Sequence, residues 1–482
     1  MNDTPQNYTE LVSQVMEVES ITWGDPKRDY IVRFLGTLKT DKLNAREILA
    51  AAFTDEKVAA IFQPLVEPAD IEPKNQPGRT IILIVSDPIR PIIAQVFDIQ
   101  ETIWPDADQN HFVRYLGALT RDSIEAYDFL EKELFPRELT PLFREEEGRH
   151  AVILIKGVNQ PRPANPWINL LLFIVTVISV AFVGAWNVYQ GDATTELEIL
   201  REIILNISDG FPFAASLLAI LLAHEFGHYI AGRIHKTPVT LPYFLPLPFP
   251  PFGTLGAFIQ LRGAPKNKRI LHDIGIAGPL AGLLVAIPIL FYGLHLSEVE
   301  RLPLLVEAGQ GLQMEGNSIL YLLAKYITFG EWLPAPTTFG TGGPVLYWLR
   351  HFFTGQPFPF GGRDVIIHPI AMAAWGGLLV TALNLIPAGQ LDGGHVMYVL
   401  LGKRTRRLIP SILFGLFALG FVWSGWWLWA ILISVLGRTH AEPLDQITPL
   451  DPRRKAIAIL GLIIFLLVFT PVPLQLILGP AL

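Results

Sequence analysis

The stretch Phe211-Pro-Phe-Ala-Ala-Ser-Leu-Leu-Ala-Ile-Leu-Leu-Ala-His224-Glu225-Phe-Gly-His228-Tyr-Ile-Ala-Gly232 is apolar except near its end, where it carries two histidines and a glutamate. About 20 apolar residues can cross a bilayer as one helix. Residues four apart lie on the same face of a helix, so His224 and His228 can bind one metal ion. Glu225 beside them can reach a water at that ion. The stretch predicts a hydrolytic zinc site inside a membrane helix.

One alternative is that these three side chains are only buried polar groups satisfied by their neighbours. Ionisable side chains at membrane depth are costly, however, and they normally pair with each other, line a cavity or bind a metal. Spacing and setting together favour the metal site.

A catalytic zinc ion usually has three protein ligands and one open position. The best candidate for the third ligand is Asp392, which follows an apolar run from about Ile366 to Pro387. Pro387 should break the helix, and the following glycines allow a tight turn. We therefore expect Asp392 to point back at the metal from non-helical backbone that is buried in protein. On spacing alone, a plain helix-end turn is the alternative.

Four segments resemble, in the same order, the site-2 proteases, a family of intramembrane zinc metalloproteases. They are the HEFGH helix, Gly253 to Ile259, Ala277 to Gly282, and Asn384 to Gly393. The resemblance covers roughly Trp167 to Leu436. A long N-terminal region stands where the family usually has a PDZ domain, and this is similar to the branch known from cyanobacteria and plastids.

The resemblance implies a role for five residues. His224, His228 and Asp392 would be the ligands of Zn2+, Glu225 the general base, and Asn384 a polar group that supports the substrate backbone or the developing oxyanion. For Asn384, an interhelical hydrogen bond is an equally simple explanation. The implied activity is hydrolysis of peptide bonds within or near transmembrane segments of other proteins, as in regulated intramembrane proteolysis.

The composition is that of an integral membrane protein. Of 482 residues, 51% are hydrophobic and only 17% are charged. The chain has no cysteine, so a metal must be held by histidine and carboxylate, which suits zinc. Met1 to Val66 contains no continuous apolar run, so we expect no cleavable signal or transit peptide.

Residues 1–158 are polar and acidic and predict a soluble α+β domain with an internal repeat, about 30–87 and 111–157. Tyr30 to Leu38 matches His111 to Leu119 at an offset of 81 residues. Each copy is expected to contain a helical stretch between strands, Leu43 to Phe62 and Ser123 to Phe143. The acidity argues against nucleic acid as a partner, and no pattern indicates the role of this domain.

Residues 159–166 are proline-rich and predict a stiff linker, and 167–482 predict the transmembrane metalloprotease domain. The expected fold class is therefore a polytopic α-helical membrane protein of six or seven spans with an N-terminal pseudo-duplicated domain. The candidate spans are Trp167 to Trp186, Phe211 to Gly232, Ile274 to Leu294, Ile366 to Pro387, Leu408 to Leu436 and Ala456 to Val472. The fifth could be one tilted helix or a bent pair near Ser424-Gly425.

Basic residues predict which side each loop faces. The segment from Arg233 to His272 has six basic residues and no acidic one, and four more follow the Asp392 segment at positions 403–407. Both metal-bearing segments should thus end on the cytoplasmic side, together with the N-terminal domain and the mouth of the site. On this basis we expect an integral protein of a prokaryotic plasma membrane.

The proline-rich segment Pro242 to Pro251 cannot be helical, and with Gly253 to Ile259 it predicts a re-entrant hairpin or an interfacial loop. A hairpin edge could pair with an unwound substrate strand. The expected partner is a membrane protein whose transmembrane helix is weakened by Gly, Pro or Asn. The runner-up function is a catalytically silent membrane metal protein, acting as a chaperone or transporter. A different intramembrane zinc hydrolase, such as a prenyl-protein processing enzyme, would use the same kind of buried zinc site and would differ only in the order of its motifs.

Overall fold

The computed structural model describes residues 6–23, 30–53, 58–64, 79–103, 111–158, 165–191, 193, 195–306, 311–436 and 442–478. They form two compact units. One consists of Met1–Gln160 with Pro443–Pro449, and the other of Pro161–Glu442 with Leu450–Leu482. Most of the expected linker, 159–164, lies outside the described residues.

The first unit contains two four-stranded antiparallel sheets, ordered β1-β2-β4-β3 and β5-β6-β8-β7. Its elements are α1 (Gln6–Val15), β1 (Met16–Trp23), β2 (Val32–Leu38), α2 (Lys42–Ala52), β3 (Val58–Pro64), β4 (Thr80–Ser86), α3 (Arg90–Ile93), β5 (Phe97–Ile103), β6 (His111–Leu119), α4 (Ser123–Leu134), β7 (Leu139–Glu146) and β8 (Arg149–Lys156). The strand pairing of the two copies matches at the offset of 81 residues. Met16 in β1 pairs with Leu38 in β2, and Phe97 in β5 pairs with Leu119 in β6. Each copy thus begins with a strand upstream of the segments that the sequence comparison matched.

Part of the expected helices is strand instead. The predictions over Leu43 to Phe62 and Ser123 to Phe143 are wrong in their second halves, where β3 and β7 lie. Along β7, buried and half-buried residues alternate, which is the two-residue period of a strand with one buried face. Glu138, with a left-handed φ of 55°, separates this strand from the preceding helical turn.

Residues Pro443–Pro449, here called the strap, complete the second sheet. The N–H of Phe143 in β7 donates to the carbonyl of Leu444 (2.9 Å), and the N–H of Gln446 donates to the carbonyl of Phe143 (3.1 Å). Leu444 and Ile447 pack against the apolar core of this copy. Since an edge strand leaves backbone groups unpaired, the strap supplies partners for those of Phe143.

The second unit is mainly helical. Its elements are α5 (Pro166–Val188), α6 (Glu196–Leu205), α7 (Phe211–Ile234), β9 (Tyr243–Pro246), β10 (Thr254–Phe258), α8 (Lys268–His295), β11 (Glu298–Arg301), β12 (Gly311–Glu315), α9 (Ile319–Phe329), α10 (Gly343–Thr354), β13 (Arg363–Ile366), α11 (Pro369–Asn384), α12 (Asp392–Leu401), α13 (Ile409–Leu419), α14 (Gly425–Leu436), α15 (Pro452–Val468) and β14 (Leu474–Leu478). Helices α7, α8 and α11 pack on one another around buried Leu290, Trp375 and Leu378. Two of these helices, α7 and α11, carry His224, Glu225, His228 and Asn384, which the sequence predicts for the metal site.

Three helices in the described part of the chain are long and apolar enough to cross a membrane. They are Pro166–Val188, Ile207–Ile234 and Lys268–His295. The run Leu408 to Leu436 divides into α13 and α14, which favours the bent pair over one tilted helix. With 17 residues, α15 is about 25 Å long and falls short of the bilayer core of about 30 Å. The count of six or seven spans therefore stays a prediction.

The proline-rich segment forms a hairpin of β9 and β10, which α5 holds in place. Asn169 Nδ2 donates to the carbonyls of Leu241 and Pro242, both at 2.9 Å, and Ser179 Oγ donates to the carbonyl of Gly253 at 2.6 Å. At Gly253 φ is +75°, and a Cβ there would lie 2.7 Å from the Ser179 carbonyl oxygen, so this position requires glycine. The helix thus fixes the hairpin that reaches the metal centre.

Candidate metal centre

Helix α7 carries three of the predicted site residues. His224, Glu225 and His228 are only 3%, 4% and 6% exposed. The helix ends at Ile234 with His235 as its C-cap, and Lys236 follows with a left-handed φ of 54°. The motif thus lies within the last three turns of a membrane-length helix, as its sequence predicted.

Asp392, which lies 164 residues beyond His228 in the chain, is close to both histidines. It is the first residue of α12, so the expectation of non-helical backbone at this position is wrong, although 385–391 is irregular. A Cβ on Gly393 would lie 2.0 Å from the carbonyl oxygen of Leu385, so only glycine lets the chain turn this tightly into α12. A carboxylate is also favoured at a helix N-terminus.

The three predicted ligands have the spacing that a tetrahedral metal requires. Asp392 Oδ2 lies 3.2 Å from Nε2 of His224 and 3.2 Å from Nε2 of His228, and the two Nε2 atoms are 3.3 Å apart. Zinc–ligand bonds of about 2.0–2.1 Å at tetrahedral angles place ligand atoms about 3.3 Å apart. In the described part of the chain, this is the one group of three such side chains that could hold a metal. The donor set and its spacing fit zinc.

A backbone carbonyl orients the second histidine. His228 Nδ1 lies 2.7 Å from the carbonyl oxygen of Ile274 in α8, so Nδ1–H donates there and Nε2 remains available for the metal. Such a partner fixes both the tautomer and the ring plane. No sequence pattern points to Ile274, because every residue carries a backbone carbonyl.

Glu225 faces a cavity of about 190 Å³ next to the ligands. Its Oε2 is buried and has no hydrogen-bond partner among the described residues, which suits a group that must accept a proton. The backbone of Ile259, just beyond β10, hydrogen-bonds the same carboxylate. Ala257 and Phe258 line the cavity, so the hairpin forms one of its walls.

Asn384 is the last residue of α11, and its Nδ2 lies 3.3 Å from Nε2 of His224. It therefore reaches the metal site and also lines the cavity. His395 lines the cavity from the first turn of α12. It lies beside Gly275 of α8.

Glycines of α8 make room for the metal-binding histidines. A Cβ on Gly278 would lie 2.1 Å from Nε2 of His228, and one on Gly282 would lie 3.3 Å from His224. Small residues on one helix face are typical of close helix packing. Their spacing on one helix face was the available signal, and the structure shows that imidazole rings fill the space.

Gly278→Ala should displace the His228 ring and weaken zinc binding by about 10–100-fold, the range seen when a ligand loses its support. Competition with a chromogenic chelator measures this affinity. Gly282→Ala should have a smaller effect, because His224 needs to move by only a few tenths of an ångström. Gly415→Ala in α13 is the matched control, since nothing lies within 4 Å of the added Cβ. Equal affinities for the Gly278 and Gly415 variants would contradict the site geometry.

Residues 212–417 match the family model described as peptidase family M50. This part of the chain is similar to peptidase family M50. The matched range includes both histidines, the glutamate and Asp392. It leaves out the whole first unit, α5, α6 and the end of the chain.

Curated relatives extend the similarity beyond this domain. The chain is 29% identical over 404 residues to "Probable zinc metalloprotease EGY1, chloroplastic" of Oryza sativa subsp. japonica, which covers 77% of this chain and 64% of the relative. It is 29% identical over 339 residues to the Arabidopsis thaliana protein of the same name, 66% of this chain and 56% of the relative. "Probable zinc metalloprotease EGY2, chloroplastic" of Oryza sativa subsp. indica is 28% identical over 269 residues, 55% and 44%. The chain thus spans less than two thirds of the length of these relatives.

These findings bear on two predictions. The resemblance to site-2 proteases of the plastid-like branch is confirmed, and the names of the relatives agree with the predicted zinc metalloprotease. The predicted location, a prokaryotic plasma membrane with the N-terminal domain and the site mouth cytoplasmic, is wrong. The relatives are named chloroplastic, which points to a plastid membrane. Charge asymmetry orients loops relative to one another but does not identify the membrane.

Proposed function

We propose that this chain is an intramembrane zinc metalloprotease that hydrolyses peptide bonds within or near transmembrane segments of membrane proteins. One observation carries the proposal. Nε2 of His224, Nε2 of His228 and Oδ2 of Asp392 lie 3.2–3.3 Å apart beside the unpartnered Oε2 of Glu225. A base next to a three-ligand site, buried in a membrane-length helix, is the arrangement that peptide hydrolysis inside a membrane needs.

The residues divide the chemistry among them. A zinc ion held by the two histidines and Asp392 would polarise the scissile carbonyl and lower the pKa of water to about 7. Glu225 Oε2 accepts the proton of the attacking water and then delivers it to the leaving amine nitrogen. Asn384 donates its amide N–H to the oxygen on which negative charge develops. Ile259 keeps the Glu225 carboxylate in place while the proton moves.

The substrate would enter as an extended strand beside β10. Among the described residues, β10 pairs only with β9, so its other edge is open. Ala257, Phe258 and Ile259 border the cavity there. An extended peptide can add to such an edge through backbone hydrogen bonds. A transmembrane helix must therefore unwind before it is cut, because its peptide groups are hydrogen-bonded within the helix.

The strap supports a topology in which α13 and α14 turn back as a pair. The chain leaves the first unit near residue 160 and re-enters it at Pro443, so the number of membrane crossings between these points is even. The four spans predicted from Trp167 to Trp186, Phe211 to Gly232, Ile274 to Leu294 and Ile366 to Pro387 would give four crossings. A single crossing by Leu408 to Leu436 would make the number odd.

A catalytically silent metal protein, such as a chaperone or transporter, is the alternative. A transport path would need paired ionisable groups through several helices, whereas the ligand triad is one compact group. A silent protein would also have no use for an unpartnered buried carboxylate beside the metal, which costs free energy. Both considerations favour hydrolysis.

A reporter with a single transmembrane helix tests the proposal. The purified protein in lipid vesicles should cut a reporter whose helix has a central Gly-Pro pair at least about tenfold faster than one with an uninterrupted Leu helix, since Pro costs a helix about 3 kcal/mol. Product masses locate the cut. A zinc chelator should stop cleavage, and added zinc should restore it. Cleavage that survives chelation, or that is equal for both reporters, would refute the proposal.

A further inference from the structure

The carboxylate of Asp273, in the first half of α8, contacts three side chains. Asp273 accepts two hydrogen bonds from Arg454, Nε at 2.8 Å and Nη2 at 2.7 Å. His235 Nε2 and His272 Nδ1 each lie 3.0 Å from it. We call these four residues the Asp273 cluster. The two-pronged guanidinium contact fixes direction as well as distance.

The cluster joins the elements that carry the ligands. His235 caps the C-terminus of α7, the helix of His224 and His228, and Asp273 belongs to α8. Arg454 is in the first turn of α15. Helix α15 packs against α12, which begins with Asp392, and Ala458 of α15 and Val396 of α12 share one apolar cluster. Thus every metal ligand is on a helix that belongs to the cluster or packs against it.

The cluster also lies next to the group that orients a ligand. Ile274, whose carbonyl accepts the bond from His228 Nδ1, directly follows Asp273. A movement of this part of α8 would move that carbonyl relative to the imidazole. The contact of 2.7 Å leaves little freedom before the hydrogen bond is lost.

Arg454 is held on a second side as well. Its Nη1 lies 2.7 Å from Oδ2 of Asp451, which caps the N-terminus of α15. This hydrogen bond lowers the pKa of Asp451 to about 2, so the carboxylate stays ionised at neutral pH. The neighbouring Arg453 and Lys455 are exposed. An exposed ion pair contributes little, whereas Arg454 is half-buried between two carboxylates.

We propose that Arg454 is a positioning residue for the metal centre. Through Asp273 it sets where the Ile274 carbonyl meets His228, and through α15 it supports the start of α12 at Asp392. The inference rests on the metal centre of the proposed function and adds a residue about 60 positions beyond the last ligand, 454 − 392 = 62.

Three variants test this role. Arg454→Met removes all three side-chain hydrogen bonds, Arg454→Lys keeps the charge but loses the two-pronged contact, and Arg453→Met is the matched control. Zinc affinity is measured by chelator competition, and the absorption spectrum of the cobalt(II)-loaded protein reports ligand geometry. We expect about 10–100-fold weaker zinc binding for Arg454→Met, an intermediate loss for Arg454→Lys and none for Arg453→Met. With the Gly-Pro reporter at saturating zinc, kcat should fall while KM stays within about twofold.

Several results separate the possibilities. Wild-type zinc affinity and cobalt spectrum in folded Arg454→Met would overturn the inference, and so would a higher KM at unchanged kcat. Weaker zinc binding together with no cleavage by the wild type would sink the proposed protease and leave the positioning role standing. If Arg454→Met is not recovered folded, Arg454→Lys carries the same test, and its wild-type behaviour would overturn the inference.

Discussion

Glu225→Gln should lower kcat for cleavage of the Gly-Pro reporter by about 10²–10⁴-fold, the contribution usual for a positioned general base. The amide keeps the size of the carboxylate but cannot take a proton from water. Zinc content should stay at the wild-type value, because Glu225 does not belong to the ligand triad. Metal analysis and cleavage rates on the same sample measure both effects.

The matched control is Glu196→Gln, an exposed position in the first turn of α6. It makes the same chemical change outside the site and should leave both readouts unchanged. The Glu225 variant should also trap substrates, so uncut single-span proteins should accumulate and copurify with it in native membranes. Zinc retained with full cleavage would remove Glu225 from the role of base.

Asp392→Ala should weaken zinc binding by more than about 100-fold, beyond the loss expected when a ligand only loses its support. Two imidazoles remain, and two ligands do not complete the three that a catalytic zinc site usually has. Cleavage should fall with the zinc content at ordinary zinc concentrations. Chelator competition gives the affinity, and metal analysis gives the occupancy.

Asp392 also begins α12, so its stability role must be separated from its ligand role. Loss of a carboxylate at a helix N-terminus costs about 0.3–1 kcal/mol, which thermal unfolding without metal would detect. Asp209→Asn, on an exposed residue before α7, is the control for a lost carboxylate elsewhere. Unchanged zinc affinity in Asp392→Ala would mean that the third ligand is a different residue.

The three candidate ligands could be predicted from sequence because the signals that point to them are local. The spacing of His224 and His228 determines how they share a helix face, and the break at Pro387 with two glycines after Asp392 indicates a tight turn. The structure brings these three side chains together. What it adds are backbone groups, the carbonyl of Ile274 and the N–H of Ile259, and no sequence pattern distinguishes one backbone group from another.

Other features depend on contacts that hydropathy does not encode. Leu408 to Leu436 is continuous in apolar character, yet Gly420 and Ser424-Gly425 divide it into α13 and α14. The second halves of the expected helices in the N-terminal unit became β3 and β7, because pairing with β4 and β8 outweighed local helix propensity. The strap pairs with β7 although it lies 300 residues further along the chain, as the hydrogen bond from Arg144 Nη1 to the carbonyl of Leu444 shows.

The strap has a consequence for how the protein is made. Residues up to 160 leave the ribosome first, but the partner of β7 follows only after 443 − 160 = 283 more residues. At about 5–20 residues per second, synthesis of that stretch takes roughly 14–57 s. During this interval the apolar surface that later contacts Leu444 and Ile447 is exposed on the nascent domain. It lies next to the unpaired edge of β7, where other chains can associate. Until residues 443–449 are made, this edge is therefore open to aggregation or to a chaperone.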